Sequence, residues 1–420
     1  MSKKPYDWKI GSPPPALGEH SAAKHEVFER YVEVYIDKLT AAWNQEHLHF
    51  TIVDGFCGGG AYRFRGATVD GSPLRLLSAV AQAEAGLARA RAKGFTISCD
   101  FFFVDSNRHH IAHLHDLLSL RGLASRIGQD IHLRTSTFEE AYPEIRRHIT
   151  KGRRISHRSL FFLDQYGWSD VRLATIRQIL SDLKNPEILL TFAVDFLIDY
   201  LSDDPKLTET LLKLELGRED VRDLLDMRDQ VGWRYLIQHG LYKHVIAHTG
   251  ARFYTPFFIH SSEAHRSYWL LHLANHRQAR DEMGKLHWAI KNSFQHHGGP
   301  GFHALGFDPA KDLRDMPTLF EFDDVAKSRS ENAVLEQLAP MIHAAYRGSG
   351  EPPTVETLFS AHCNDTPVTT DILQSKLIEL RDEKEIEIIS AEGRLKPRAR
   401  NIAWDDRLVL PMERSLFSRI

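Results

Sequence analysis

HFTIVDGFCGGGAYRFRGATVDGSPLRLL, residues 49–77, decides the fold. It reads as strand, glycine loop, helix. Phe50 to Val53 is a short apolar run with β-branched residues, as a buried strand requires. Asp54 and Gly55 end it, and Gly58, Gly59 and Gly60 follow. Glycine reaches positive φ cheaply and leaves no Cβ between backbone and ligand. Ser72-Pro73 reads as an N-cap followed by the first helical residue, and helical composition continues to Gly94. A strand feeding a glycine turn at the carboxyl edge of a parallel sheet is where α/β proteins bind nucleotides.

The loop is not a P-loop, because no Gly-Lys-Ser/Thr follows Gly60, and it is not a regular GxGxxG fingerprint. Asp-Gly-Phe-Cys-Gly-Gly-Gly resembles the first motif of class I S-adenosylmethionine (AdoMet) methyltransferases, D-x-F-x-G-x-G. In those enzymes the glycines let the backbone lie against the methionine part of the cofactor. The resemblance implies AdoMet as cofactor, with Asp54, Gly55, Phe56, Gly58 and Gly60 around it. On the loop alone, a tight turn without a ligand is the other reading.

The chain has 420 residues, enough for two domains. Its 42% hydrophobic and 26% charged residues are ordinary for a globular protein. A net charge of −3 announces no global field for nucleic acid and leaves room for a local basic face. Cys57, Cys99 and Cys363 are far apart, with neither metal-ligand spacing nor a disulfide framework. No apolar run is long enough for a membrane span or a signal core, so a cytoplasmic protein is expected. His109, His110, His113 and His115 fall on what reads as an exposed helix, and no metal site is assigned.

Residues 1–19 are polar and Pro-rich and read as an irregular arm. The segment 20–43 carries apolar residues at Val27, Phe28, Tyr31, Val34, Tyr35 and Leu39, a helical stripe that would pack on the sheet. Lys24 and His25, near its start, either face the glycine loop or sit at a solvated helix end. The second strand, 98–107, contains Asp105, and acidic residues at this place accept hydrogen bonds from ribose hydroxyls. Asn107 stands beside it. The third strand is Ile131 to Thr135, after which Thr137 or Phe138 would border the adenine. The fourth strand, 159–168, reaches Asp164-Gln165-Tyr166-Gly167. Methyltransferases acting on amino groups of nucleic acid end this strand in D/N-P-P-Y/F, where acceptors orient the amine and the aromatic stacks on the base. Asp164 and Tyr166 match in type, while Gln165 stands where Pro is expected and the aromatic comes one position early. These three residues are the candidate catalytic set.

Lys24-His25, VDGFCGGGAY with the downstream GSPL, FFVD (102–105) and FFLDQYG (161–167) together resemble the three-Cys-motif partner proteins (TcmP) over roughly residues 20–300. The sequence departs from that family's pattern at Cys57, Gly59 and Gln165. The resemblance implies a methyltransferase-like fold and a partner protein carrying three cysteines, similar to radical-AdoMet enzymes.

The fifth strand is 187–197, a charged helical insertion occupies about 203–245, and two antiparallel strands, 253–260 and 267–275, close the core. Near 319 a second module begins: helices at 332–346, 354–364 and 369–386, then a hairpin of EIEIIS and RNIAWD. Three helices and a two-stranded wing form a winged helix-turn-helix pattern. Lys376 on the third helix and Arg394, Lys396, Arg398 and Arg400 on the wing are its cations, and it would contact nucleic acid or dock a protein. Arg63 and Arg65 in the long loop are further candidates for phosphate.

The expected architecture is therefore α/β: an arm at 1–19, a class I methyltransferase-like (Rossmann-like) doubly wound sheet at 20–292, a linker at 293–318 and a winged-helix module at 319–420. Two functions follow. One is an AdoMet-dependent methyltransferase acting on an amino group of a nucleic-acid base. The other is a catalytically inactive scaffold of the same fold that presents nucleic acid or substrate to a three-cysteine, radical-AdoMet-like partner.

Overall fold

The computed structural model describes residues 6–151, 158–202, 204–230, 233–261, 266–291, 295–297, 300–302, 319–398 and 401–411. The chain divides into two compact units, one of Met1–Tyr254 and Phe258–Leu286, the other of Thr255–Phe257 and His287–Ile420. Among the described residues no helix is long and apolar enough to cross a membrane.

The first unit begins with α1 (Glu19–Leu39), then β1 (His47–Asp54), β2 (Ala61–Phe64), β3 (Ala67–Asp70) and α2 (Ser72–Ala90). It continues through β4 (Thr96–Asp105), α3 (Arg108–Leu120), β5 (Ile131–Thr135), α4 (Phe138–Thr150), β6 (Arg158–Leu163), α5 (Leu173–Asp182) and β7 (Asn185–Phe192). Helices α6 (Val194–Tyr200), α7 (Pro205–Leu212), α8 (Arg218–Asp226) and α9 (Trp233–Thr249) precede β8 (Phe253–Ser261), β9 (Arg266–Ala274) and α10 (Arg277–Ile290).

The strand order is β5-β4-β1-β6-β7-β9-β8. Strands β4, β5, β6 and β7 join β1 in parallel, and β9 runs antiparallel to β7. This is the methyltransferase-like α/β arrangement that the sequence predicts. The central strands are apolar throughout because helices cover both sheet faces. Phe50, Ile52, Phe103, Leu160, Phe161 and Phe162 are fully buried, each worth about 1.5–3 kcal/mol. Registers such as Asp54↔Phe103 and Asp105↔Thr135 bring the strand ends level, so the residues that terminate β1, β4 and β6 share one rim.

Four local readings are corrected. Gly71, not Ser72, caps α2, because Gly71 N donates to Gly60 O at 2.8 Å and a Cβ at 71 would press on the Gly60 backbone. The stripe of α1 buries Val32 and Ile36 instead of Val34 and Leu39. Strand β7 stops at Phe192, and Asp195 and Asp199 lie one turn apart on α6, 3.6 and 2.8 Å from the Arg234 guanidinium. The stretch 61–70, read as a loop, is the β2–β3 hairpin, with Tyr62↔Val69 and Phe64↔Ala67 in register.

In the second unit, β10 (Gln295–His297) pairs antiparallel with β11 (Leu319–Glu321). Helices α11 (Asp324–Ser349), α12 (Val355–His362) and α13 (Thr370–Asp382) pack through Val334, Leu338, Phe359, Leu373 and Leu377, all buried. Asp323 caps α11 through Ala326 N at 2.6 Å. The wing pairs β12 (Glu387–Ile389) with β13 (Arg407–Val409). The expected partner strand RNIAWD is irregular where described, its Ala403 N held by Asp406 at 2.7 Å. Most of the linker expected at 293–318 lies outside the described residues, as does Arg400.

Candidate functional site

A cleft of about 200 Å³ opens at the carboxyl rim of the sheet, with Phe56, Gly58, Asp105, Asp164, Gln165, Tyr166, Lys24 and His25 in its wall. Of the strand-end acids expected from the sequence, Asp105 and Asp164 line it, and Asp54 ends β1 between them, buried behind the lining. The chain around them does more than the sequence suggested.

The glycine loop is braced from three sides. Gly58 and Gly60 adopt φ of +59° and +82°, which disfavour any side chain. Gly58 N donates to Asp105 Oδ2 at 3.1 Å, and Cys57 N donates to Val104 O at 3.0 Å. Asp105 Oδ1 also accepts from Asn107 N at 2.8 Å and lies 3.1 Å from His110 Nδ1. Asp105 thus spends much of its acceptor capacity on holding the loop. His110 is buried, and His113 Nδ1 lies 2.6 Å from Gly59 O, so these two histidines serve the loop, whereas the sequence placed them on an exposed face.

The N-terminal arm is the largest departure. Trp8 is 3% exposed, donates its indole N–H to Ala61 O at 2.6 Å and packs edge-on against Tyr62 and His110. A Cβ on Gly58 would lie 2.6 Å from Trp8 Cη2, and one on Gly59 would overlap the indole. The arm adds to the hairpin through Leu17 N→Arg63 O and Arg63 N→Pro15 O, both 2.8 Å. Arg63 Nε donates to Pro14 O, and Arg65 forms a two-pronged ion pair with Glu19. Both arginines thus contact the arm and the start of α1 while remaining exposed at the surface. Gly59→Ala is expected to undock the arm, which faster tryptic cleavage after Lys9 would report; an unchanged cleavage rate would mean that the indole is not seated there.

At the end of β1, Asp54 is 1% exposed. Its Oδ1 accepts from Phe56 N at 3.2 Å, while Oδ2 is buried with no hydrogen-bond partner. Burial pushes its carboxyl up to about 7. At the end of β6, Lys24 Nζ meets Asp164 Oδ1 at 2.5 Å, the two side chains 9% and 21% exposed. Burial works against the Asp164 anion, but the Lys24 charge and hydrogen bond hold its carboxyl below the usual value. His25 is buried beside them and its imidazole is lowered to about 4, by burial first and then by the Lys24 and Arg75 charges against the pull of Asp164. Lys24 and His25 face the site and do not form a solvated helix end.

Four candidates have other duties. Asn107 caps α3 through His109 N at 2.9 Å. Thr137 caps α4 in a reciprocal box with Glu140. Phe138 is 1% exposed and sits beneath Gly55, where a Cβ would approach its ring at 3.0 Å, outside the cleft lining. Gln165 is buried, and its Oε1 accepts from Asp170 N and Val171 N at 3.0 and 3.2 Å. It braces the loop after β6, which a proline there could not do. Tyr166 is half-exposed at the mouth. Tyr62, the last residue of the VDGFCGGGAY motif, also lines the cleft, as do Tyr6, Trp8, Thr191 and Tyr268, which no sequence motif marked.

In the second unit the cations are partly neutralised. Lys376 Nζ pairs with Glu379 at 2.8 Å, and Lys396 Nζ bonds Asp406, itself 1% exposed, at 2.7 and 2.8 Å. Arg394 and Arg398 are exposed.

Residues 306–393 match the family model of a GMT-like wHTH domain. The C-terminal module is thus a winged helix-turn-helix, as its topology indicates. No curated protein matches the chain in sequence. Among solved structures, protein LPL1258 from Legionella pneumophila is similar at 8% identity, covering 60% of this chain and 85% of that one, with a TM-score of 0.31. The O-methyltransferase TomG from Streptomyces achromogenes, solved with SAM, is similar at 10% identity over 62% and 92%, with a TM-score of 0.27. Likeness of this degree says nothing of chemistry, which has to come from the side chains in the cleft.

Proposed function

We propose that the cleft binds AdoMet and that the chain is an AdoMet-dependent methyltransferase acting on an amino group of a nucleic-acid base. One observation carries this reading: Asp54, Asp105 and Asp164, from three adjacent parallel strand ends, meet at a glycine loop on a single rim. The donor set fits the cofactor. The buried, unpartnered Asp54 Oδ2 suits the ammonium of the methionine part, and Gly58 to Gly60 leave the backbone bare beside it. Asp105 keeps acceptor capacity for a ribose hydroxyl beyond the bonds that brace the loop. AdoMet supplies an electrophilic methyl group, and the protein supplies orientation. Asp164, held ionised by Lys24, would accept an N–H of the target amine and aim its lone pair, with Tyr166 stacking on the base at the mouth. A base within a duplex would have to be flipped out. The wHTH module would hold the nucleic acid through Arg394 and Arg398 on its wing. Tyr6 and Trp8 narrow the cleft below the roughly 300–1,000 Å³ usual for ligand sites, so the arm shifts when cofactor enters.

The scaffold reading has its own support. Lys24 already occupies Asp164, and the Gln165 side-chain oxygen is spent on the backbone of Asp170 and Val171, so the acceptor pair of amino methyltransferases is incomplete. In that case the chain is a three-Cys-motif partner protein that presents substrate to a radical-AdoMet-like enzyme.

Calorimetric titration of AdoMet into the full chain tests the first claim. Binding is expected, weakened about 10- to 100-fold by Asp54→Asn, because a charge-assisted hydrogen bond contributes about 1.5–3 kcal/mol. Absence of heat at millimolar ligand would overturn it. Transfer of labelled methyl to DNA or RNA tests the second. The paired change Lys24→Met/Asp164→Leu should abolish transfer and leave AdoMet affinity within a few-fold. A wild-type chain that binds AdoMet yet labels no nucleic acid would favour the scaffold.

A further inference from the structure

On the α4 side of the sheet, away from the cleft, three side chains from three elements point at one spot. Asp100 lies on β4, His132 on β5 and His148 in the last turn of α4. One donor atom from each lies within 4.8 Å of the other two. We propose that Asp100, His132 and His148 form a binding site for a divalent transition cation, with zinc the best match to the donor set.

The argument starts from two buried nitrogens. His132 Nε2 and His148 Nε2 are both out of solvent and make no hydrogen bond. An orphaned buried polar atom is costly, on the order of 1–3 kcal/mol, and native structures seldom leave two together. His148 Nε2 lies 3.1 Å from Asp100 Oδ2 without forming a hydrogen bond. One cation between the three groups turns every contact favourable.

The surroundings fix the donors in place. The His132 ring stacks on Phe102 with centroids 4.5 Å apart, and His148 meets Phe102 edge-on at 5.0 Å. The two imidazoles are 5.2 Å apart. His49 Nε2, on β1, reaches Asp100 Oδ2 at 3.2 Å and holds the carboxylate from behind, as outer partners of metal ligands commonly do. Two imidazoles and a carboxylate suit zinc, nickel or copper and not magnesium or calcium, which take oxygen donors. Around a tetrahedral ion with bonds of about 2.0–2.1 Å the donor atoms stand ~3.4 Å apart, so donors already within 4.8 Å of one another would close toward that spacing and leave one position for water. The three cysteines take no part, which explains why cysteine spacing gives no sign of the site.

The test uses the dialysed full chain. Titration with Zn²⁺ in competition with a chromophoric chelator should reveal one tight site per chain, and Co²⁺ should give the visible bands of four-coordinate nitrogen and oxygen ligation. His132→Ala and His148→Gln should each weaken zinc at least 100-fold and remove the Co²⁺ bands. His148 is 29% exposed, so its variant tests the site even where loss of the stacked His132 ring perturbs the fold. Zinc should also raise the melting temperature of the wild-type chain and not that of His148→Gln. Zinc affinity unchanged in His148→Gln, or only weak binding spread over the chain's many histidines, would overturn the proposal.

Discussion

Lys24→Met is expected to cost the α/β unit about 3–5 kcal/mol at neutral pH, because it strands the Asp164 carboxylate in a buried setting. Methionine retains most of the apolar stem, so the loss is chiefly one of charge. In the native pair the Lys24 ammonium overcomes the burial penalty and leaves Asp164 below its ordinary value. A depressed carboxyl contributes stability that is present above the unfolded value and lost as pH falls through the folded one. Without Lys24 burial is opposed only by the weaker pull of the Thr191 hydroxyl and of His25, so the carboxyl rises and the cost of keeping it charged grows with pH. The damage should therefore be greatest at neutral pH and shrink as the solution is acidified toward the unfolded value. Urea denaturation at two pH values measures this. The double change Lys24→Met/Asp164→Leu should recover most of the loss, since replacing a buried pair by apolar groups is often neutral. A cost under about 1 kcal/mol, or one independent of pH, would show that the pair is solvated.

Asp54→Asn is expected to stabilise the same unit, and increasingly so at high pH. The Asp54 carboxyl is raised from 3.8 to about 7 in the folded chain. A raised folded value means that the folded state binds more protons than the unfolded state between those limits, so stability falls as pH rises through them. Asparagine, which never ionises, escapes this. Its advantage over aspartate should grow by about 3 kcal/mol between about pH 5 and pH 8, and level off above that, at 1.36 kcal/mol per unit. Taking the difference between variant and wild type cancels other titrations, that of His25 included, except where they couple to Asp54. A difference that stays flat with pH would mean that Asp54 ionises normally and the buried acid is not there. The same substitution is expected to weaken AdoMet, so position 54 trades stability against ligand binding, as strained functional groups commonly do.

The sheet was legible because its strands are continuous apolar runs, which strands covered on both faces need, and because three of those runs lead into an acid. Asp54, Asp105 and Asp164 were found that way; Asp105 and Asp164 line the cleft, and Asp54 is buried at the end of β1 beside it. The capping duties of Asn107 and Thr137 were not foreseen because helix caps and ligand contacts draw on the same short polar side chains. AVDFL (193–197) carried the fifth strand too far because a buried apolar run looks alike in strand and helix. The second wing strand was missed because pairing with Arg407–Val409 skips a long stretch of irregular chain. The arm was invisible for a different reason. Nothing local to Trp8 indicates that its partners are Gly58, Gly59 and Ala61, about fifty residues away.

That last contact has an evolutionary consequence. Positions 8 and 59 fill one volume: a bare backbone at 59 is the mould for the indole at 8. Neither can drift alone. A descendant that acquires a side chain at 59 must first shrink residue 8, and one that loses the indole exposes the glycine backbone and no longer needs glycine there. Across related chains the two columns should covary, tryptophan with glycine and smaller residues with alanine or serine.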